Sequence, residues 1–84
     1  MQLESLKVFC DLAESRSFTG AARISGITQS AVSQQVNSLE RHFGTLLIER
    51  SKKLFRLTRE GQLLYQHSKE IINSFDTLTS RMQT

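Results

Sequence analysis

Residues 28–40 of the chain, TQSAVSQQVNSLE, decide its fold. Read as a helix of about 100° per residue and extended to residue 43, this stretch gathers its apolar side chains on one side: Val32, Val36, Leu39 and Phe43. The opposite side carries Ser30, Gln34, Asn37 and Arg41. A solvated helix usually presents Glu and Lys, whereas short hydroxyls and amides match the donors and acceptors of base edges in the DNA major groove. A polar surface helix is the alternative interpretation.

The residues before this stretch predict two further helices. Apolar side chains recur at helical spacing over residues 2–14, and a short second helix fits residues 18–25 with Ala21 and Ala22 inside it. Gly26 suits a sharp turn with positive φ, and we expect Ile27 to be buried behind it. Two short helices joined through a glycine, with alanines where they cross, are typical of a helix-turn-helix. An ordinary helical hairpin is the alternative.

Hydroxyl residues and glycines mark the ends of these helices. Ser17 and Thr28 are predicted N-caps of the second and third helices, and Gly44 ends the third. Two short apolar runs around a charged tip then predict a β-hairpin over residues 46–57, although no Asn-Gly pair marks its turn. A hairpin placed directly after such a helix is a wing. We expect Phe55 of this wing to join the core.

A long helix follows the wing. Thr58 is its predicted N-cap, and the helix can run from residue 59 to about 81, roughly 35 Å. A heptad-like seam runs along it through Gly61, Leu64, Ser68, Ile71, Phe75, Leu78 and Met82, widened by Leu63 and Ile72. A helix of this length cannot bury its far end against so small a domain. The apolar end therefore needs a partner, for which we predict a dimer through Leu64, Ile71, Ile72, Phe75, Leu78 and Met82.

Composition favours a small nucleic-acid binder over an enzyme. The 84 residues are 38% hydrophobic and carry a net charge of +3. Residues 41–59 contain six basic residues and one acid, Glu49, which is the charge distribution expected of a nucleic-acid-binding segment. His42 and His67 are predicted surface residues rather than metal ligands, and no nucleophile–base pair or glycine-rich phosphate loop is present. We therefore predict neither catalysis nor a metal or cofactor in this domain.

Three further features limit the setting. The single Cys10 cannot form an intramolecular disulfide, so it is predicted to be a small buried hydrophobe in a reducing cytoplasm. No apolar run approaches the ~20 residues of a membrane span, and no signal pattern opens the sequence. No aromatic pair is placed to stack RNA bases. A pure protein-interaction module remains an alternative because of the long helix.

Taken together, these elements resemble the N-terminal domain of LysR-type transcriptional regulators. The resemblance is carried by LESLKVFCDLAESRSFTGAAR, TQSAVSQQVNSLE and LLIERSKKLFRLTREG, in an order and spacing that match without a gap over essentially the whole chain. It implies a mainly α fold, a winged helix-turn-helix of three helices and a two-stranded wing over residues 1–58, with a linker and dimerisation helix over 59–84. The family's effector-sensing domain would lie beyond this sequence, together with its small-molecule effector.

The resemblance also implies a bacterial, cytoplasmic and nucleoid-associated regulator that binds double-stranded promoter DNA. Helix 29–42 would read the major groove and wing 46–57 would contact the backbone or minor groove. A homodimer with antiparallel linker helices, or a tetramer of two such dimers, would bind an interrupted inverted repeat. The residues expected at the DNA are Ser17, Thr19, Thr28, Gln29, Ser30, Ser33, Gln34, Asn37, Arg41, Arg50, Lys52 and Lys53.

Several positions depart from the family pattern. Gln34 stands where the family often has Arg, and Lys53 stands where it usually has Arg. Ser25 replaces a usual Leu, for which Ile24 would supply the apolar contact. Arg50 has an alternative role, because it can pair with Glu49 or with another acid of the fold instead of with DNA.

Overall fold

The computed structural model describes residues 1–50 and 53–83 and contains four helices in that part of the chain. They are α1 (Leu3–Ser15), α2 (Phe18–Ser25), α3 (Gln29–Phe43) and α4 (Arg59–Met82). Helix α1 lies at the centre and contacts each of the other three, while α2 packs on α3 as the helix-turn-helix pair. The sequence predicted each of these helices to within a residue or two at either end.

The predicted caps and turns are present. The side chains of Ser17, Thr28 and Thr58 accept hydrogen bonds from the backbone N–H groups of Gly20, Ala31 and Gly61, respectively. Gly26 and Gly44 have φ of 71° and 68°, the left-handed conformation that ends a helix most easily at glycine. These local signals fix where α2, α3 and α4 begin and where α2 and α3 end.

The core is one cluster around α1, α2 and α3. Phe9, Leu12, Ala21 and Val32 are fully buried. Val36, Leu39, Leu47 and Ile48 complete the cluster with almost no exposed surface. Phe55 is partly buried against this core, as predicted, and its ring meets that of Phe18 edge-on at 6.5 Å.

Two apolar residues are more exposed than the pattern predicted. Ile27 was expected to be buried, but 36% of it is exposed, because the turn at Gly26 directs the chain along the surface before Thr28 caps α3. Phe43 continues the stripe of Val32, Val36 and Leu39 yet is 46% exposed. It is the last residue of α3, and it lines an open groove together with Leu6 of α1.

The wing is smaller than a two-stranded ladder. In the described part of the chain, its pairing consists of one isolated antiparallel bridge between Ile48 and Leu57. Backbone hydrogen bonds from Glu49 N–H to Arg56 O, 2.9 Å, and from Thr58 N–H to Leu47 O, 3.0 Å, flank that bridge. Leu47 and Ile48 are buried whereas Leu46 and Leu54 are exposed, so each predicted apolar run is only partly buried.

Helix α4 begins in the core and ends outside it. Leu64, Tyr65 and Ile72 pack against the core, and the side chains from residue 73 to residue 83 are exposed. Leu64 and Ile72 were predicted for dimerisation, but they are already partly buried by their own domain because α4 lies along α1. The molecule measures 48 × 24 × 19 Å, so the free end of α4 projects from a small body.

Candidate nucleic-acid interface

One exposed polar surface runs along α3. Gln29, Ser30, Ser33, Gln34 and Asn37 are all exposed, while Val32, Val36 and Leu39 on the other side of the helix hold it to the core. Every exposed member of this set carries a hydroxyl or an amide, so the surface offers both donors and acceptors without fixed charge. Such a face reaches base edges when its helix lies in a major groove.

The N-terminal ends of α2 and α3 are joined to each other at this surface. The Gln29 side-chain amide donates a hydrogen bond to the Thr19 hydroxyl. The amide oxygen of Gln29 is not used in that bond and can still accept from a base. Two residues predicted to contact DNA separately therefore form one polar unit, in which Thr19 orients Gln29.

The wing and the start of α2 enclose a second part of the surface. Ser17, Arg50 and Lys53 line one side of a groove of about 410 Å3, with Phe18 and Phe55 forming its apolar floor. Lys53 is exposed, which leaves its ammonium group accessible to a phosphate. Lys52, also predicted for this site, lies outside the described residues.

Arg50 forms an ion pair within the fold, which is the alternative to a DNA contact that the sequence left open. Its guanidinium nitrogen is 2.5 Å from a carboxylate oxygen of Glu40 in α3, so its charge is matched within the fold. Arg41 likewise has a local partner, because it donates to the hydroxyl of Ser38 at 3.3 Å. Glu40 was not among the predicted site residues, since sequence spacing alone does not show that an acid ten positions away faces the wing.

Other polar groups serve the fold. Hydrogen bonds from the Tyr65 hydroxyl and from the Lys69 ammonium lower the pKa of Glu14, and these bonds tie the end of α1 to α4. Burial raises the pKa of the Cys10 thiol to about 11, so the thiol stays protonated and unreactive, as expected of a buried hydrophobe.

The described residues contain no metal cluster. His42 and His67 are exposed, as predicted. His67 lies close to one acid, Glu70, one turn along α4. The Glu70 Oε1 atom is 3.7 Å from the His67 Nδ1 atom. In residues 1–50 and 53–83 no group of three or more His, Cys, Asp or Glu side chains could hold a metal ion. None of the helices in these described ranges is long and apolar enough to cross a membrane.

The geometry defines a winged helix-turn-helix with a projecting C-terminal helix. Residues 3–62 match the family model described as the bacterial regulatory helix-turn-helix protein, lysR family. The chain belongs to this family.

Relatives of known name support this placement. The chain is 40% identical to the HTH-type transcriptional regulator BudR of Raoultella terrigena over 72 residues, which are 86% of the chain and 25% of BudR. It is 34% identical to BenM of Acinetobacter baylyi over 80 residues, or 95% of the chain and 26% of BenM. The chain thus spans about a quarter of the length of these relatives.

Solved structures give the same result for the fold. The crystal structures of the BenM DNA-binding domain with catB site 1 DNA and with benA site 1 DNA superpose with TM-scores of 0.93 and 0.94. Each is 32% identical to the chain, and the match covers 99% of this chain and 93% of that one. The wing is therefore placed as in a winged helix-turn-helix even though its ladder is a single bridge.

Proposed function

We propose that this chain binds double-stranded DNA sequence-specifically as the DNA-binding part of a LysR-type transcriptional regulator. The observation that carries the proposal is the exposed, uncharged polar face of α3, held to the core by Val32, Val36 and Leu39. This face would read base edges in the major groove. Support comes from the BenM domain, a relative whose structures were solved with DNA.

The parts of the surface have different tasks in this proposal. Gln29, Ser30, Ser33, Gln34 and Asn37 would contact bases, with Thr19 orienting Gln29. Phosphates would be met by the starts of α2 and α3 and by the wing, where Lys53 is the exposed cation. Arg50 is better assigned to the fold, since its charge is matched by Glu40.

Because the chain spans about a quarter of its relatives, we propose that it is the DNA-binding part of a longer protein. We infer a bacterial, cytoplasmic regulator associated with the nucleoid, with an effector-binding domain in the remainder of the protein. A homodimer, or a tetramer of two such dimers, would bind an interrupted inverted repeat in a promoter. Two-fold pairing places recognition helices in successive major grooves about 34 Å apart.

Binding to selected duplexes tests the proposal. The wild-type chain is used to select duplexes from a random pool, and its affinity for the selected duplex is compared with that for a random duplex over a range of salt concentrations. We expect Gln29→Ala to cost about 1–3 kcal/mol on the selected duplex and to relax preference at one base pair. Equal weakening on both duplexes would contradict a role in base reading.

Lys53→Ala supplies the contrasting result in the same assay. A phosphate contact carries no sequence information, so the variant should weaken binding to all duplexes alike and lower the salt slope by about one ion. An unchanged slope would leave the wing as a solvated loop. If the wild-type chain does not distinguish the selected duplex from the random one, the proposed function is wrong.

A further inference from the structure

The carboxylate of Glu40 joins the recognition helix to the wing through three contacts. Its Oε2 atom accepts hydrogen bonds from the backbone N–H groups of Leu47, at 2.8 Å, and Ile48, at 3.4 Å. Its Oε1 atom accepts from the Arg50 guanidinium at 2.5 Å. Only 10% of the Glu40 side chain is exposed, so its bonds to the two backbone N–H groups are largely shielded from water, whereas the ion pair is more open because 46% of the Arg50 side chain is exposed.

The wing is held in part by the burial of Leu47 and Ile48 in the core, and the Glu40 carboxylate adds polar links from this segment to α3. The pairing of the wing itself is a single bridge between Ile48 and Leu57, and both Leu47 and Ile48 bind Glu40 just before or at that bridge. The part of the wing that contains Phe55 has a separate hydrogen bond, which the guanidinium of Arg16 donates to the Phe55 carbonyl at 3.1 Å. A ladder this short leaves the angle between wing and α3 to such side-chain contacts.

Glu40 lies where its contacts can relate the position of the wing to the base-reading face of α3. It lies in the last turn of α3, on the same helix as Gln29 and Ser33, while Lys53 lies three residues beyond Arg50 in the wing. The two halves of the wing are joined by the bridge between Ile48 and Leu57, so a carboxylate that fixes residues 47–50 relative to α3 also helps to place the wing beside the base-reading face. An acid near the DNA backbone would repel a nearby phosphate. The contacts of Glu40 with the wing give a structural reason for an acid at this position.

We propose that Glu40 is a positioning residue for DNA binding, holding the wing at a fixed place beside the recognition helix with Arg50 as its partner. Arg50 is then part of this brace and not a phosphate ligand. The inference rests on the proposed function, and it goes beyond it by assigning an acidic residue to the correct placement of basic ones.

Two substitutions that remove the same charge separate positioning from simple electrostatics. Glu40→Gln and Glu49→Gln each remove one acid from the neighbourhood of the wing. Repulsion alone predicts that both variants bind DNA as tightly as the wild type or more tightly. The brace predicts that Glu40→Gln binds the selected duplex at least about tenfold more weakly, the loss typical of a missing hydrogen bond to a charged group. Glu49 donates to the wing through its backbone N–H, so Glu49→Gln should bind DNA normally or more tightly.

Two readouts distinguish a misplaced wing from a damaged fold. The salt slope of Glu40→Gln should fall by about one ion as Lys53 loses its phosphate. On a duplex shortened to remove the phosphates that the wing reaches, Glu40→Gln and the wild-type chain should bind equally. Weaker binding of the variant to the shortened duplex as well would mean a general loss of structure and would overturn the inference.

Arg50→Gln completes the test, and an unchanged affinity of this variant for the full duplex would contradict the brace even if Glu40→Gln does not fold. Arg50→Gln leaves both N–H bonds to Glu40 intact and removes only the ion pair. We expect it to lose affinity on the full duplex but not on the shortened one, and the double variant to be no worse than Glu40→Gln. Additive losses would make Arg50 an independent phosphate ligand and overturn the brace.

The outcomes also separate this inference from the proposed function. A wild-type chain that prefers the selected duplex, together with a Glu40→Gln variant of unchanged affinity and slope, contradicts the brace and leaves sequence-specific binding standing. A wild-type chain without preference contradicts both.

Discussion

Ser68 shows how a single buried atom affects this fold. Its side chain is fully buried in the part of α4 that packs on α1, and among residues 1–50 and 53–83 its hydroxyl has no hydrogen-bond partner. A buried hydroxyl without a partner loses its hydration and gains nothing in return. The residue is tolerated because its small size lets α4 lie close to α1.

Replacing that hydroxyl should therefore stabilise the domain. We expect Ser68→Ala to raise the free energy of unfolding by about 1 kcal/mol or more, measured by urea titration. Ser74→Ala, at an exposed position of the same helix, controls for the better helix propensity of alanine. If the two substitutions have the same effect, the Ser68 hydroxyl is satisfied in solution.

Glu14 gives the domain a pH dependence of known sign. Its pKa in the folded chain lies below the ordinary value of 4.5, first because of the Tyr65 hydrogen bond and second because of that from Lys69. A carboxyl group whose pKa is lower in the folded chain than in the unfolded chain stabilises the fold at pH values above its unfolded pKa. That contribution is lost as the pH falls through the folded pKa. The contribution is small because 45% of the Glu14 side chain is exposed.

Glu14→Gln should remove that contribution. At neutral pH we expect a loss of about 0.5 kcal/mol, the size typical of an exposed pair. Below the folded pKa of Glu14 the variant and the wild-type chain should unfold at the same urea concentration. Asp76→Asn, at an exposed acid on the projecting end of α4, is the control. A stability difference that stays constant with pH would assign the effect to Tyr65 packing instead.

At the scale of elements, backbone approach decides how the wing meets α4. A Cβ atom placed on Gly61 would lie 2.1 Å from the carbonyl oxygen of Leu47, the same oxygen that accepts from Thr58 N–H. Glycine is thus required in the first turn of α4 for space, in contrast to Gly26 and Gly44, which are required for positive φ.

Gly61→Ala should reverse the usual benefit of alanine in a helix. Gly→Ala normally stabilises a helix by about 0.5–1 kcal/mol, whereas crowding against backbone costs about 1–3 kcal/mol. We expect a net loss of stability in thermal unfolding. Gly20→Ala is the matched control, since the nearest neighbours of its Cβ would be side-chain atoms of Ser15, at 3.1 Å, and of Ser17, at 3.4 Å, and it should be nearly neutral. A Gly61→Ala variant as stable as the wild type would mean that the wing shifts freely.

Sequence reasoning succeeded where a signal is local. The buried faces of α1 and α3 follow from helical periodicity, and the caps at Ser17, Thr28 and Thr58 follow from a hydroxyl placed before an apolar run. Glu40 was missed because its partners, Leu47 to Arg50, are brought to it only by the turn after α3. For the same reason, periodicity does not reveal that Leu64 and Ile72 of the predicted α4 seam also pack on the core of their own domain.

At the scale of the whole molecule, the projecting end of α4 leaves an apolar face without cover. Ile71, Phe75 and Leu78 are about half exposed, and Met82 is 77% exposed. This face continues into a groove of about 470 Å3 beside Leu6, Phe43, Leu47 and Leu64. Monomers rarely keep so continuous an apolar surface. The two-fold pairing proposed above would cover it with the same face of a second chain.

The free energy of burying this face, set against the cost of association, supports such a dimer at micromolar concentration. Covering these four side chains on each of two chains would contribute about 6–12 kcal/mol, counting each at half the value of a full burial, against an association cost of about 4–15 kcal/mol. These two free energies are close enough that one charge at the centre of the face should decide whether the dimer forms. Packing of this face on the remainder of the longer protein is the competing explanation.

Phe75→Asp tests this by sedimentation velocity of the 84-residue chain at micromolar concentration. We expect the wild-type chain to sediment as a dimer and Phe75→Asp as a monomer, because pairing would bury two unpartnered carboxylates. Asn73→Asp introduces the same charge two residues away, about 200° around the helix from Phe75, and should remain a dimer. A wild-type chain that sediments as a monomer and binds half-sites singly would assign the face to packing within the longer protein.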